Sequence, residues 1–422
     1  MAASFAQILG NKRIALMLPL GFASGLPLAL TSGTLQAWLT VAGVDLKTIG
    51  IFTLVGLPYS LKFLWAPVMD RITLPWLGRR RGWMLVTQIA VAAGLALMGV
   101  IGTESGPRWL GSIAIAVAFM SASLDIVFDA YRTDVLLSAE RGFGAAVWVN
   151  GYRLALLLAS AGALVLADHI GWRGTYLALA ALMAAGAGTV LFSPNPPAGG
   201  LPPKTLKEAI GLPLRELFTR PGIYGLLSLI VLYKVGDAVA GSLQTAFFIG
   251  GLGFTAGEVG YVKGLGIAAT LIGALAGGML MAKTGLARSL LLFGILQALS
   301  NLSFMLLAWI GKSYEVLAAS VVIENVTGGM GTAAFVALVM SLCDHRYTAT
   351  QFALLSWLEA LGRVFSGRPS AEAVSLLGWG WFFFLSFLLA LPGCWLVWHY
   401  RRQLAPDAAE ATASESPLMK PA

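Results

Sequence analysis

Lys62-Phe-Leu-Trp65-Ala-Pro67-Val-Met-Asp70-Arg71-Ile-Thr-Leu-Pro75-Trp-Leu-Gly78-Arg79-Arg80-Arg81 closes one long apolar segment and precedes another. Its Asp-Arg pair and its Gly-Arg-Arg-Arg run therefore sit at a membrane exit. A shorter copy lies in the second half of the chain, Gly278-Met-Leu-Met-Ala282-Lys283-Thr-Gly285-Leu-Ala-Arg288. Both follow Gly/Ala-x-x-x-(Asp/Ala)-(Arg/Lys), then Gly, then Arg. Two such loops between apolar segments point to a duplicated membrane protein.

Composition agrees. The 422 residues are 58% hydrophobic and only 11% charged, and the mean hydropathy is +0.80. Soluble domains carry about 25% charged residues. The 50 glycines suit helices that approach closely in lipid, and Gly21-x-x-x-Gly25 and Gly273-x-x-x-Gly277 read as packing contacts of that kind. A net charge of +8 would also suit a nucleic-acid binder. Membrane topology explains it better, because Lys and Arg gather in the loops on the side of the N-terminus, which places both termini in the cytoplasm. No nucleic-acid partner is expected. Cys343 and Cys394 fall near cytoplasmic ends of spans, where no disulfide is expected. The first apolar segment reads as a retained span, not a signal peptide.

A bilayer-crossing helix needs about 20 apolar residues. Twelve segments qualify: 14-41, 47-69, 82-102, 109-134, 142-166, 173-193, 222-250, 257-282, 287-310, 314-342, 348-367 and 375-399. The polar, Pro-rich stretch after the sixth reads as a cytoplasmic linker with one short surface helix. The expected organisation is an all-α integral membrane protein: a six-helix bundle over 1-193, a linker over 194-221, a second six-helix bundle over 222-402, and a disordered tail over 403-422. The paired loops resemble those of major facilitator transporters, and the resemblance implies that the first span of each three-span unit lines a central cavity, here spans 1, 4, 7 and 10. Pro19, Pro27 and several glycines predict a bent span 1.

A charge at the bilayer centre costs about 2.5–3.5 kcal/mol on insertion scales, yet several charges lie inside these segments. Ser121, Asp125, Asp129 and Arg132 recur at offsets of 4, 4 and 3, one face of a helix. Span 7 carries Lys234, Asp237 and Gln244; span 10 carries Glu324 and Asn325; span 5 carries Asn150 and Arg153; span 11 carries Glu359 and Arg363; Lys62 lies in the inner half of span 2. Burial raises a carboxylate's pKa and a nearby cation lowers it, so a carboxylate poised between the two effects can load and release a proton. Asp125, Glu324 and Glu359 are the candidates for proton coupling. Gln36, Asn150, Arg153, Lys234, Asp237, Gln244, Asn325 and Arg363 are the candidates for a substrate cavity, with Lys234, Arg153 and Arg363 suited to an anion. Asp70, Arg71, Arg79 and Arg80, with Asp129 and Arg132, are the candidates for a cytoplasmic gate. The competing reading of Asp125, Asp129, Arg132 and the Glu359/Arg363 pair is static ion pairing. Trp38 suits an interfacial anchor, and on a sugar-bearing cargo of the kind a family resemblance implies, Trp38 or Tyr152 could stack on a ring face.

The sequence carries no Walker phosphate loop, and its three histidines, His169, His345 and His399, lie at loops or span ends. No enzyme activity, metal or cofactor is expected. Gly328-Gly-Met-Gly331 sits inside an apolar segment and reads as a hinge or a tight contact.

The opening loop resembles the signature between the second and third spans of major facilitator transporters, with Ala66 in place of the usual first Gly, extra residues from Ile72 to Leu77, and Ala282 where the second copy would carry Asp. Longer stretches are more specific. Gly21-Phe-Ala-Ser-Gly-Leu-Pro-Leu-Ala-Leu-Thr-Ser-Gly-Thr-Leu-Gln-Ala-Trp38, Asp45-Leu-Lys-Thr-Ile-Gly50, Gly78-Arg-Arg-Arg-Gly-Trp83, Ser123-Leu-Asp-Ile-Val-Phe-Asp-Ala130 with Thr133-Asp134, Val231-Leu-Tyr-Lys-Val-Gly-Asp-Ala238, Gly257-Glu-Val-Gly260, Glu324-Asn with Gly328-Gly-Met-Gly-Thr332, and Ala349-Thr-Gln-Phe-Ala-Leu-Leu355 resemble AmpG-type muropeptide permeases, in the same order. The resemblance implies a major facilitator fold in a Gram-negative inner membrane. It implies proton-dependent import of N-acetylglucosaminyl-anhydro-N-acetylmuramyl peptides for peptidoglycan recycling, a link to β-lactamase induction, and a monomer whose partners are muropeptide, protons and lipid. The alternatives are a carrier of another bulky anion such as an acyl-CoA, or a non-transporting membrane sensor.

Overall fold

A computed structural model describes residues 11–44, 55–75, 77–104, 106–196 and 205–404, without the side chains at 107, 108, 206, 256, 257 and 361–368. The Asp45-to-Gly50 motif and the expected tail beyond residue 404 lie outside the described residues, as does the side chain of Arg363.

Among the described residues every regular element is helical, and nine segments are long and apolar enough to cross a membrane. The order begins with α1 (Lys12–Thr31) and α2 (Gly33–Val41), which together make the first crossing. Ser32 separates them at φ −120°, ψ −103°. Pro19 and Pro27 lie inside α1, and the hydroxyls of Thr31 and Ser32 bond back to the carbonyls of Pro27 and Leu28. A proline leaves a carbonyl without its helical donor, and these hydroxyls cover carbonyls near the break, so span 1 is interrupted as its composition predicts.

The described part of span 2 is not the continuous helix expected. It consists of α3 (Leu57–Leu61), a tight turn at Lys62–Leu64, and α4 (Ala66–Arg71). Pro58 and Pro67 each stand in the first turn of one of these pieces, where a missing N–H is tolerated, so each restarts a helix.

The remaining helices are α5 (Gly78–Ile101), α6 (Pro107–Val135), α7 (Arg141–Leu157, continued by a wider turn at Leu158–Gly162), α8 (Ala163–Phe192), α9 (Leu206–Thr219), α10 (Ile223–Ser242), α11 (Ala256–Thr284), α12 (Leu286–Ile310), α13 (Tyr314–Ser341) and α14 (Thr348–Tyr400). Arg141–Phe192 spans 52 residues, far more than one bilayer requires. It breaks at Gly171, φ +70°, between the fifth and sixth expected spans. α14 has 53 residues and breaks at Gly378, φ +76°. That break lies inside the expected twelfth span, not before it: the helix continues past Pro369 to the first residue able to take the left-handed conformation cheaply. With these two breaks and span 2, the architecture accords with twelve crossings. The linker contains α9, the expected surface helix, N-capped by Thr205.

One apolar core joins residues from Ile14 to Val190, and two others join residues from Leu217 to Leu404 and from Ala240 to Phe383. Ala349 and Ala353 enter the first core, and Ala145 and Ala146 enter the second, which marks where the two sets of helices meet. The glycine pairs act as packing contacts. A Cβ on Gly21 or Gly25 would strike the carbonyl of Trp148 or Tyr152, and one on Gly273 would strike the carbonyl of Val326. Gly273→Ala is expected to cost about 1–3 kcal/mol through overpacking, read as a lowered midpoint of thermal unfolding in detergent. An unchanged midpoint would mean that α11 and α13 are not in backbone contact there. Both cysteines are free and buried.

Candidate functional site

A cavity of about 430 Å³ lies between α6 and α7 on one side and α10 to α14 on the other. Helical periodicity brings its charges together from five helices. Asp129 and Arg132 come from α6, Arg153 from α7, Lys234 and Asp237 from α10, Glu324 from α13, and Glu359 from α14. Amides and hydroxyls of Asn325, Thr270, Gln297, Thr332 and Ser356 stand among them. Phe335, Val339 and Phe352 supply apolar wall. The mixture suits a solute with both polar and anionic parts.

Glu324 accepts from Asn325 Nδ2 at 2.7 Å, and Asn325 Oδ1 accepts from Thr270 Oγ1 at 2.8 Å; Gln244, expected in the cavity, is not on its wall. Arg153 and Glu324 both line the cavity, and among the described residues the buried Arg153 Nε has no hydrogen-bond partner. Lys234 Nζ lies 3.4 Å from Asp237 Oδ2 and 3.4 Å from Gln297 Oε1.

Asp129 and Arg132 are not confined to the gate expected from sequence; they form part of the cavity wall. Asp129 accepts from Arg132 Nη2 at 2.7 Å and from Lys62 Nζ at 3.3 Å. The Arg132 guanidinium lies 4.9 Å from the ring centres of both Trp148 and Phe352, so it bridges the two sets of helices by cation–π contact. Asp125, one turn earlier, is not on the cavity wall; it accepts a hydrogen bond from Ser24 of α1. Asn150 also turns away, donating to the carbonyl of Ala146 in its own helix at 2.8 Å. Gln36 lies beyond the break at Ser32 and is not on the wall, so span 1 does not line this cavity as expected. Trp38 stacks on Trp172 at 5.7 Å and is buried, which leaves it no open face for a sugar.

A second cluster closes the end of the molecule that carries the opening loop. Arg80 Nη1 and Nε lie 2.8 Å from Asp70 Oδ1 and from Asp134 Oδ2, with all three side chains buried. Asp70 Oδ2 also accepts from the Thr350 amide at 2.8 Å and the Thr350 hydroxyl at 2.7 Å, and its Oδ1 from the Ala349 amide at 3.4 Å. The carboxylate thus caps the first turn of α14, where amides lack helical partners and the dipole favours an anion. Asp134 Oδ1 accepts from the Thr348 hydroxyl at 2.6 Å and faces His345 at 3.4 Å. Arg79 donates to the carbonyl of Arg346, while Arg71 is exposed and outside this network. In the linking loop Arg346 pairs with Asp344 and holds its carboxyl below the ordinary value. Gln351 donates to Glu216 and to the Pro213 carbonyl of α9, which docks the linker helix on the same corner.

Sequence reasoning named Asp70, Arg79 and Arg80 for such a latch but not Asp134, Thr348, Thr350 or His345. Thr133-Asp134 and Ala349-Thr-Gln stood out only as shared stretches. Lys283 and Arg288 of the second loop are exposed and, among the described residues, make no ion pair, so the second copy has no described counterpart of the Asp70–Arg80–Asp134 cluster.

The Major Facilitator Superfamily model matches residues 17–367. The anhydromuropeptide permease of Escherichia coli (strain K12) is 51% identical over 406 residues, covering 96% of this chain and 83% of that protein. Among solved structures, the fucose:proton symporter of E. coli aligns with a TM-score of 0.71 at 11% identity, over 93% of this chain and 98% of that one. A human organic anion transporter aligns at 0.66 and 16% identity, over 91% and 98%.

Proposed function

This chain belongs to the major facilitator superfamily, and we propose that it imports anhydro-muropeptides from periplasm to cytoplasm together with protons. It is a multi-pass transporter of the inner membrane, not an enzyme. The observation that carries the proposal is the 51% identity, over nearly the whole chain, to a protein named for that cargo. The cavity suits it. A disaccharide-peptide offers hydroxyls and amides to Asn325, Thr332 and Ser356, and carboxylates to Lys234 and Arg153.

The proposed cycle rocks two six-helix units, 1-193 and 222-402, about this cavity as a monomer, with 194-221 as their tether. Named contacts between the two units support a state closed on the cytoplasmic side: Asp70 with Thr350, Arg132 with Phe352, Phe63 with Trp357 at 4.8 Å, and Gly278 against Ala146. Asp125, Glu324 and Glu359 are the proposed coupling carboxylates. The gate comprises Asp70, Arg79 and Arg80, with Asp129 and Arg132 at its inner edge.

The test is uptake of labelled anhydro-muropeptide by proteoliposomes, with and without an inward proton gradient and with an acyl-CoA as competitor. Gradient-stimulated uptake that the acyl-CoA does not suppress is the expected result. No uptake by folded protein, or full suppression by the acyl-CoA, would overturn the cargo assignment.

A further inference from the structure

Gln297 belongs to α12, a helix outside the expected cavity set, yet it forms part of the cavity wall. It gets there because α13, which packs against α12, lacks side chains at two positions three residues apart, Gly328 and Gly331. Residues at that spacing share a helix face. A Cβ on Gly331 would overlap Gln297 Oε1 and come within 3.6 Å of Lys234 Nζ; one on Gly328 would stand 3.4 Å from Gln297 Nε2. The glycines leave a window, and the amide of Gln297 fills it from behind.

On the cavity side, Gln297 Oε1 meets Lys234 Nζ at 3.4 Å, and Asp237 Oδ2 meets the same nitrogen at 3.4 Å from the lysine's own helix. Both contacts lie at the long end of hydrogen bonding. An ammonium has three protons, and two long bonds hold it without saturating it. A neutral carbonyl orients the ammonium without adding a counter-charge to the one Asp237 already supplies. A carboxylate in its place would form a second ion pair and leave the lysine outnumbered by negative charge.

We propose that Gln297, reaching through the Gly328/Gly331 window, is a positioning residue that aims Lys234 into the cavity to receive an anionic group of the transported solute. The proposal rests on the reading of Lys234 as a cavity cation. It assigns Gly331 a specific purpose, to admit the Gln297 side chain, with Gly328 at ordinary contact distance beside it; Gly329 differs, since a Cβ there would strike the backbone of α11 at Thr270.

The test is proteoliposome uptake of labelled anhydro-muropeptide, separating half-saturation from maximal rate. Gln297→Leu is expected to raise half-saturation on the order of tenfold, as for a lost hydrogen bond to a charged group, with little change in maximal rate. Gln297→Glu is expected to raise it further, by neutralising Lys234. Gly331→Ala should match Gln297→Leu, because it pushes the amide out of the window. The double variant Gly331→Ala/Gln297→Ala should be no worse than Gln297→Ala alone, since the clash has been removed. Thermal unfolding of each variant controls for folding, and Gln297→Leu remains informative even if Gly331→Ala fails to fold. Lys234→Gln separates the two readings. If it raises half-saturation while the Gln297 variants do not, or if the double variant is additive, the positioning role is overturned. If Lys234→Gln leaves half-saturation unchanged, the reading of Lys234 fails first, and the role of Gln297 falls with it.

Discussion

Arg80→Leu is expected to cost about 3–5 kcal/mol of the closed arrangement, the usual penalty for removing one partner of a buried ion pair. Two features place it at the upper end. Arg80 serves two buried carboxylates, Asp70 and Asp134, and both also hold the start of α14. Without the guanidinium these carboxylates are left close together in a dry pocket, and the least costly relief is separation of the two helical units at that end. Cys343 offers a native reporter, since it lies in the loop just before α14 and is buried, and burial pushes its thiol above the ordinary range. Only the thiolate reacts, so wild-type Cys343 should label slowly with a maleimide at neutral pH. In Arg80→Leu, on a Cys394→Ala background, labelling from the cytoplasmic face is expected to accelerate by on the order of tenfold or more. Thermal stability should fall as well. Wild-type labelling and stability in the variant would show that the cluster does not hold this end closed.

Asp125→Asn is expected to abolish gradient-driven accumulation while preserving cargo binding. Asparagine keeps an oxygen to accept the hydrogen bond from Ser24, so the link between α1 and α6 survives. It cannot exchange a proton. Asp125 lies one turn from Asp129, which holds Lys62 and Arg132, and a movement of either cation would change the field at the carboxyl. A coupling site needs that sensitivity. Accumulation is measured as the ratio of internal to external cargo under an imposed gradient, and in the variant it should fall to one, with facilitated exchange retained. Undiminished accumulation would move the coupling role to Glu324 or Glu359, which line the cavity itself.

The fold was legible because lipid imposes length and apolarity on each crossing, and those are local properties of a chain. The helix faces were legible for the same reason: offsets of three and four residues place Asp129 with Arg132 and Lys234 with Asp237. What local pattern cannot express is a partner hundreds of residues away. Nothing near Asp70 announces the first turn of α14, and nothing near Asp134 announces Thr348. Gln297 is an amide inside the expected span 287-310, but that it enters the cavity past Gly331 of a different helix is not a local property of the chain. Asn150 was misread because an amide in a helix can satisfy itself on its own preceding turn. The break at Gly378 falls inside the expected twelfth span because nothing in an apolar run marks which glycine takes the left-handed conformation.

The central claim, that cargo and protons enter together, is tested most directly by recording lumenal pH in proteoliposomes with equal pH on both sides. Addition of anhydro-muropeptide outside should acidify the lumen in wild type and not in Asp125→Asn. Entry of labelled cargo into wild-type liposomes with no change in lumenal pH would contradict the account.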